Sequence, residues 1–278
     1  MTTPHPSTSD KRRVFHDLHR SGCFVIPNPW DRGSARFLQS LGFKALATTS
    51  SGYAWSQGQP DGGSSREQAL DHLRDMVTAT DLPVNADFQA GFAHDSRGVA
   101  ESVRLAVETG VAGLSIEDST GDASAPLYDL PTAVERLTAA RRAIDLAGGD
   151  TLLVGRAECF LVGQPDIEEA VARLQAYADA GADCLYAPGV RTPEQIATLV
   201  ARLAPKPVNV LIGHPSELTV SEIADLGVRR ISVGGALARS AWGGFMRSAR
   251  LIAEQGRFDG FAAAAPGQTL DSLFTSQE

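Results

Sequence analysis

The chain has 278 residues, 43% of them hydrophobic and 21% charged, which allows one large core and argues against wholesale disorder. A formal charge of −8 argues against the basic face of a dedicated nucleic-acid binder, and no run approaches the roughly 20 apolar residues of a membrane helix. The polar stretch Met1–Asp10 has no signal-peptide core. Cys23, Cys159 and Cys184 form no CxxC pair, so free thiols and a cytoplasmic location are expected.

In chain order, residues 1–10 read as a flexible arm, followed by a catalytic domain over 11–258 and a helical tail over 259–278. Short β-type runs are predicted at 24–26, 45–48, 84–86, 113–116, 152–154, 183–186, 208–211 and 230–233. Helical patterns are predicted at about 30–40, 98–109, 132–146, 167–180, 192–203 and 220–226. Glycine follows several of them, as at Gly110 and Gly181, which is a helix stop signal. Eight strand–helix units imply parallel strands with crossover helices. They predict an α/β (β/α)8 TIM barrel, with an open doubly wound sheet as the competitor. No GxGxxG follows the first strand and no GxxxxGK[ST] occurs, which disfavours nucleotide-binding folds.

Barrel enzymes carry their chemistry where strands end. The second run ends in Ser50, Ser51, Gly52 and Tyr53, a small hydroxyl-and-glycine turn suited to directing backbone N–H groups at an oxyanion, or simply a turn. A long loop from Ala54 to Ser65 contains Asp61. The third and fourth runs deliver Asp87 and Glu117 to the same rim, as hard oxygen ligands for Mg²⁺ or as caps of the following helices. The fifth delivers Arg156, whose fork suits a substrate carboxylate or a structural salt bridge. The seventh offers the Asn209 amide. The eighth offers Ser232, Gly234 and Gly235 as a backbone anion site. His94 and His214 are loop histidines that could act as bases, and Cys159 reads as a small buried hydrophobe.

The phrases VIPNPWDRGSARFLQSLGFKALATTSSGYA, GQPDG, VNADFQAGFA, GLSIEDS, LVGRAECF and AGADCLYAPGV, in this order, resemble the isocitrate lyase / phosphoenolpyruvate mutase superfamily. The resemblance runs from about Phe15 to Phe258. It implies a barrel whose final helix is exchanged with a neighbouring subunit, in a dimer or tetramer. It implies Asp87 as the main Mg²⁺ ligand (Mn²⁺ as a substitute), with Asp61 and Glu117 helping through water. It implies that Ser50, Ser51, Gly52 and Tyr53 hold the substrate carboxylate and enolate oxygen. Arg156 would contact the oxo-acid, and Asn209 the second portion of the substrate.

Departures from the family pattern bear on the reaction. Where the isocitrate and methylisocitrate lyases carry a KKCGH loop, this chain has Asp118–Pro126, with neither cysteine nor lysine. The mutase lysine and asparagine loop is missing too. Ala187-Pro188-Gly189 stands in place of a glutamate, and Gln89 in place of a common second aspartate. Decarboxylation needs no dedicated base in its bond-breaking step. The expectation is therefore a carbon–carbon lyase acting on a small α-oxo or 2-hydroxy carboxylate through a pyruvate-type enolate, with oxaloacetate-like decarboxylation foremost. The alternatives are cleavage of a methylisocitrate- or dimethylmalate-like acid, P–C bond chemistry on phosphonopyruvate, or a non-catalytic 2-oxo-acid-binding paralogue. For the alternative cleavages Tyr53, Tyr128 or His214 would serve as acid or base.

Overall fold

A computed structural model describes residues 5–275. Its first half runs α1 (Thr8–Arg20), β1 (Phe24–Ile26), α2 (Arg32–Ser40), β2 (Leu46–Ala47), α3 (Ser50–Ser56), α4 (Arg66–Ala79), β3 (Val84–Asp87), α5 (Ser96–Glu108), β4 (Gly113–Glu117) and α6 (Leu130–Leu146). The second half runs β5 (Leu152–Arg156), α7 (Ile167–Asp179), β6 (Cys184–Tyr186), α8 (Pro193–Leu203), β7 (Val208–Leu211), α9 (Val220–Asp225), β8 (Arg230–Ser232) and α10 (Ala236–Gln255). A 3₁₀ turn (Asp259–Ala263) and α11 (Gly267–Thr275) complete it.

All seven strand pairings are parallel, in the order β1-β8-β7-β6-β5-β4-β3-β2. The Ala47 N–H donates to the Pro27 carbonyl at 3.1 Å and draws the two ends of the sheet together. The result is a nearly closed (β/α)8 TIM barrel, as the strand–helix alternation predicts. Helix starts follow local capping chemistry: Asp95 accepts from the Gly98 N–H at 2.8 Å, and Asp129 from the Thr132 N–H at 2.8 Å with Pro131 in the first turn. Gly110, at φ 90°, ends α5 in a left-handed turn that a side chain would strain.

Two apolar layers follow from the period-2 alternation of the strands. Inside the barrel, Phe24, Ile26, Leu152, Val154, Cys184 and Tyr186 cluster with Phe15 of α1. Outside it, the other strand faces pack on α4 to α9 through residues such as Leu114, Leu153, Leu174 and Leu185. Helix α1 seals the N-terminal end. Arg12 donates to the Val111 carbonyl at 3.0 Å and to the Val107 carbonyl at 2.9 Å, and Lys11 to the Thr80 carbonyl at 2.6 Å. The opposite, C-terminal mouth is the end at which barrel enzymes carry their chemistry.

Several sequence expectations change here. Thr8–Asp10, expected within a flexible arm, belong to α1, which Ser7 caps; residues 1–4 lie outside the described residues. Helices α1, α4 and α10 were not read from periodicity. Their apolar stripes are broken by polar residues that fold buried, such as Lys11, Arg12 and His19 in α1 and His72 in α4. Helix α11 lies against α2, where the Phe274 ring stands beside Gly33. The three cysteines are unpaired, with Cys159 and Cys184 buried. Among the described residues no helix is long and apolar enough to cross a membrane.

Candidate active site

Strands β3, β4 and β5 end side by side, and parallel register brings their last inward side chains together. Glu117 pairs with Arg156 across β4 and β5, and Asp87 with Ser115 across β3 and β4. The Arg156 Nη1 lies 3.2 Å from Asp87 Oδ1 and 3.1 Å from Glu117 Oε2, while its Nε donates to the Glu158 carboxylate. The guanidinium also faces the Tyr186 ring, 5.3 Å from its centroid. The second oxygen of Asp87 accepts from the Ser50 N–H and hydroxyl. The Asp87 N–H donates to Thr48 Oγ1 at 2.9 Å. Asp87, Glu117 and Arg156 thus converge on one mouth of the barrel.

Next to this cluster a fourth carboxylate, that of Asp118, is taken up by other donors. Asp118 accepts from Arg173 at 3.1 Å, from the Tyr177 hydroxyl at 2.6 Å and from the Glu158 N–H at 2.8 Å. It anchors Glu158, which in turn braces Arg156. Glu158 and Thr48 were not singled out from the sequence. The only signal was their position at a strand end, and their roles follow from partners distant in the chain.

The charge balance is uneven. Asp61, Asp87, Glu117 and Glu158 interact with a single guanidinium. Burial pushes the Glu117 carboxyl up to about 8. Arg156 opposes the shift, while Glu158, Asp87 and Asp118 reinforce it. Asp61 is raised by the partial loss of solvent around its carboxyl at the cavity edge and then by the Asp87 charge. A mouth with this excess of negative charge favours an added cation. Among the described residues, no three His, Cys, Asp or Glu side chains are arranged to ligate an ion by themselves. Asp87 and Glu117 offer only carboxylate oxygens, a donor type that suits a hard cation such as Mg²⁺, which keeps several waters and takes one or two carboxylates.

Two cavities meet here. The first, about 510 Å³, is lined by Asp61, Gln89, His94, Glu117, Tyr128 and Arg156 among others. The second, about 390 Å³, is lined by Ser51, Arg191, His214, Gly235 and Arg239, and shares Asp61 and Leu161 with the first. Asp61 sits on the exposed lip between them.

The remaining candidate residues fall in different places. Ser50 to Tyr53 form the first turn of α3 rather than an irregular turn, because Thr49 caps it. The Gly52 N–H donates to Thr49 Oγ1 at 3.3 Å, and Gly52 is packed against Trp30 and Ala238 with no room for a side chain. The Ser51 hydroxyl lies 3.1 Å from that of Thr49. Tyr53 stacks on His72, with ring centroids 4.0 Å apart. Asn209 is buried among inward polar side chains, donating to Ser232 Oγ at 3.0 Å and accepting from Arg230 Nε at 2.8 Å. The expected anion site at Gly234 is corrected: Asn28 Oδ1 accepts both the Val233 and Gly234 N–H groups, at 2.9 and 2.8 Å. Asn28, between two prolines just past β1, ties β1 to β8 and, through the Thr48 carbonyl, to β2.

The sequence model of the phosphoenolpyruvate phosphomutase family matches residues 15–253. This chain belongs to the isocitrate lyase / phosphoenolpyruvate mutase superfamily. The crystal structure of a candidate lyase/mutase from Burkholderia cenocepacia J2315 is 45% identical and superposes with a TM-score of 0.93, covering 98% of each chain. An uncharacterised protein of Mycobacterium tuberculosis H37Rv is 32% identical over 79% of this chain and 81% of its own length. An oxaloacetate decarboxylase of Paraburkholderia xenovorans LB400 is 28% identical over 82% of this chain and 76% of its own length. This superfamily member is an enzyme, with carbon–carbon lyases among its relatives.

Proposed function

We propose that the protein is a Mg²⁺-dependent lyase that breaks a carbon–carbon bond in a small 2-oxo carboxylate, with oxaloacetate-like decarboxylation as its reaction. The observation that carries this is the sharing of Asp87 between Ser50 and Arg156, both of which line a cavity rich in carboxylates. Asp87 would hold the divalent ion, Asp61 and Glu117 would reach it through water, and Mn²⁺ would substitute. When bound, the ion supplies Lewis acidity to the 2-oxo group.

The protein's own groups do the rest. Arg156 is held on three sides by Asp87, Glu117 and Glu158 and presents a fixed cation to the substrate carboxylate. Ser50 keeps Asp87 in place and lines the same cavity. The C3–C4 bond breaks with its electron pair staying on the pyruvate-type enolate, and C4 leaves as CO₂. The enolate carbon then takes one proton, giving pyruvate. Tyr128 and His94, 3.1 Å apart at the cavity wall, stand where a proton can be delivered. In this reading Ser51 meets the substrate from the second cavity, while Gly52 and Tyr53 hold the turn of α3 that carries it and Asn209 supports the mouth from inside the barrel.

A second reading has one observation in its favour. Arg191, His214 and Arg239 around the second cavity suit a distal carboxylate, as in cleavage of a methylisocitrate- or dimethylmalate-like acid. The experiment is to offer oxaloacetate, methylisocitrate, dimethylmalate and phosphonopyruvate with Mg²⁺, assaying pyruvate and the other products. Pyruvate from oxaloacetate above the metal-only background supports decarboxylation. Turnover of a larger acid alone selects the second reading, and tight 2-oxo-acid binding without turnover of any of them would sink both.

We further propose a cytoplasmic homotetramer (or dimer) in which the C-terminal segment, from α10 through the tail over 259–278, packs on a neighbouring subunit, with α11 exchanging its contact on α2 of its own chain for one on the neighbour. The support is a row of exposed apolar side chains from Trp242 and Phe245 on α10 to Phe258 and Phe261 beyond it.

A further inference from the structure

Immediately after Asp87 the chain makes an unusual turn. Gln89 and Phe92 have φ of 49° and 55°, and Gly91 between them has φ of 78°. Left-handed backbone is costly for a side chain such as phenylalanine and persists only where its surroundings impose it. Two backbone bonds contribute: the Gly91 N–H donates to the Phe88 carbonyl at 3.0 Å, and the Glu117 N–H to the Gln89 carbonyl at 3.1 Å.

Three further carbonyls of the turn and its end point at one side chain. Arg136 of α6 is buried and donates to the Ala93 carbonyl at 2.8 Å, to the His94 carbonyl and to the Ala90 carbonyl. Its guanidinium also lies over the Tyr128 ring, 4.1 Å from the centroid. Tyr128 ends the loop that follows β4, and its hydroxyl meets the His94 ring. One cation thus fastens the loop after β3 to the loop after β4. Both loops line the first cavity, through Gln89, Ala90 and His94 on one side and Ser119, Thr120 and Tyr128 on the other.

We infer that Arg136 is a positioning residue of this site. It touches neither the cavity's charged cluster nor a substrate. It holds the left-handed turn that sets Gln89 against Glu117 and fixes the distance between the two walls. A guanidinium suits the task because it offers several donors in one plane and remains charged when buried, whereas a lysine offers a single point. This rests on the reading of the first cavity as the active site.

The test compares Arg136→Met and Arg136→Lys with the parent protein, each well below its Tm. Hydrogen exchange is followed at the Gly91 and Glu117 amides, and Mn²⁺ affinity by electron paramagnetic resonance. Arg136→Met is expected to speed exchange at those two amides while β7 and β8 stay protected. It should weaken Mn²⁺ binding about tenfold, the scale of lost outer-shell support, and added guanidinium ion or the lysine variant should restore part of both. A lowered Tm with unchanged loop exchange and unchanged Mn²⁺ affinity overturns the inference. If Arg136→Met does not fold, Tyr128→Leu removes the surface on which the guanidinium lies, and unaltered exchange at Gly91 in that variant overturns it equally. If the parent protein binds no Mn²⁺, the metal-site reading fails on its own and the exchange measurement alone decides the role of Arg136.

Discussion

Ser50 gives both of its donors to one oxygen of Asp87, the backbone N–H at 2.9 Å and the hydroxyl at 2.8 Å. The other oxygen faces Arg156, so the carboxylate is oriented on both sides before any ligand arrives. A carboxylate held in this way is ready to accept a cation without reorganising, which is the condition for effective electrostatic catalysis.

Asp87→Asn should keep the fold, because the amide has the same shape and can still accept from Ser50. It should lower metal-dependent turnover by more than about 100-fold, beyond what loss of an outer-shell partner costs, while Ser50→Ala should weaken metal affinity by only about tenfold. Titration with Mg²⁺ during turnover, with circular dichroism to check folding, separates the two. Equal activity in Asp87→Asn would remove the proposed centre.

Acid should destabilise the protein through its buried histidines. His19 is buried between Phe15 and Phe24, with its Nδ1 2.7 Å from the Phe15 carbonyl. Burial, and next the nearby Arg230 guanidinium, lower its pKa from 6.5 to about 3. Above pH 6.5 the ring is neutral whether folded or unfolded. Between 6.5 and about 3 only the unfolded chain takes up the proton, so stability falls as pH falls through that window. The loss from this residue by pH 5 is roughly 2 kcal/mol. His72, shifted by burial to about 4, acts in the same direction. Urea midpoints at pH 7 and pH 5 measure the effect, and His19→Gln should narrow the gap between them. A gap of equal size in that variant would contradict the assignment.

The apolar row along α10 and beyond should govern assembly. Phe245 and Phe258 are 63% and 66% exposed, a large apolar cost for a lone chain in water. Phe245→Asp with Phe258→Asp is expected to dissociate the oligomer while leaving the barrel folded, since neither ring belongs to the barrel's buried clusters. Light scattering after size exclusion reads the result, and a parent protein that elutes as a monomer would refute the proposed assembly.

Much of this molecule is written locally. The strand–turn–helix period, the glycines that stop helices such as Gly110, and the delivery of Asp87, Glu117 and Arg156 to strand ends all follow from residues within a few positions of one another. They are therefore visible in the sequence. Strand polarity and the shared C-terminal rim then follow from the parallel alternation itself. What stayed hidden depends on partners far apart in the chain. Lys11, Arg12 and Arg136 look like surface charges on helices, yet each is buried because carbonyls from remote turns satisfy it. Asn209 and Gly234 looked like free hydrogen-bonding groups, yet Ser232, Arg230 and Asn28 occupy them. The sequence thus determined which side chains reach the mouth of the barrel. Only the closed tertiary structure decided which of them keep a free valence for a ligand, because satisfying a buried polar group requires a partner that only long-range folding brings within reach.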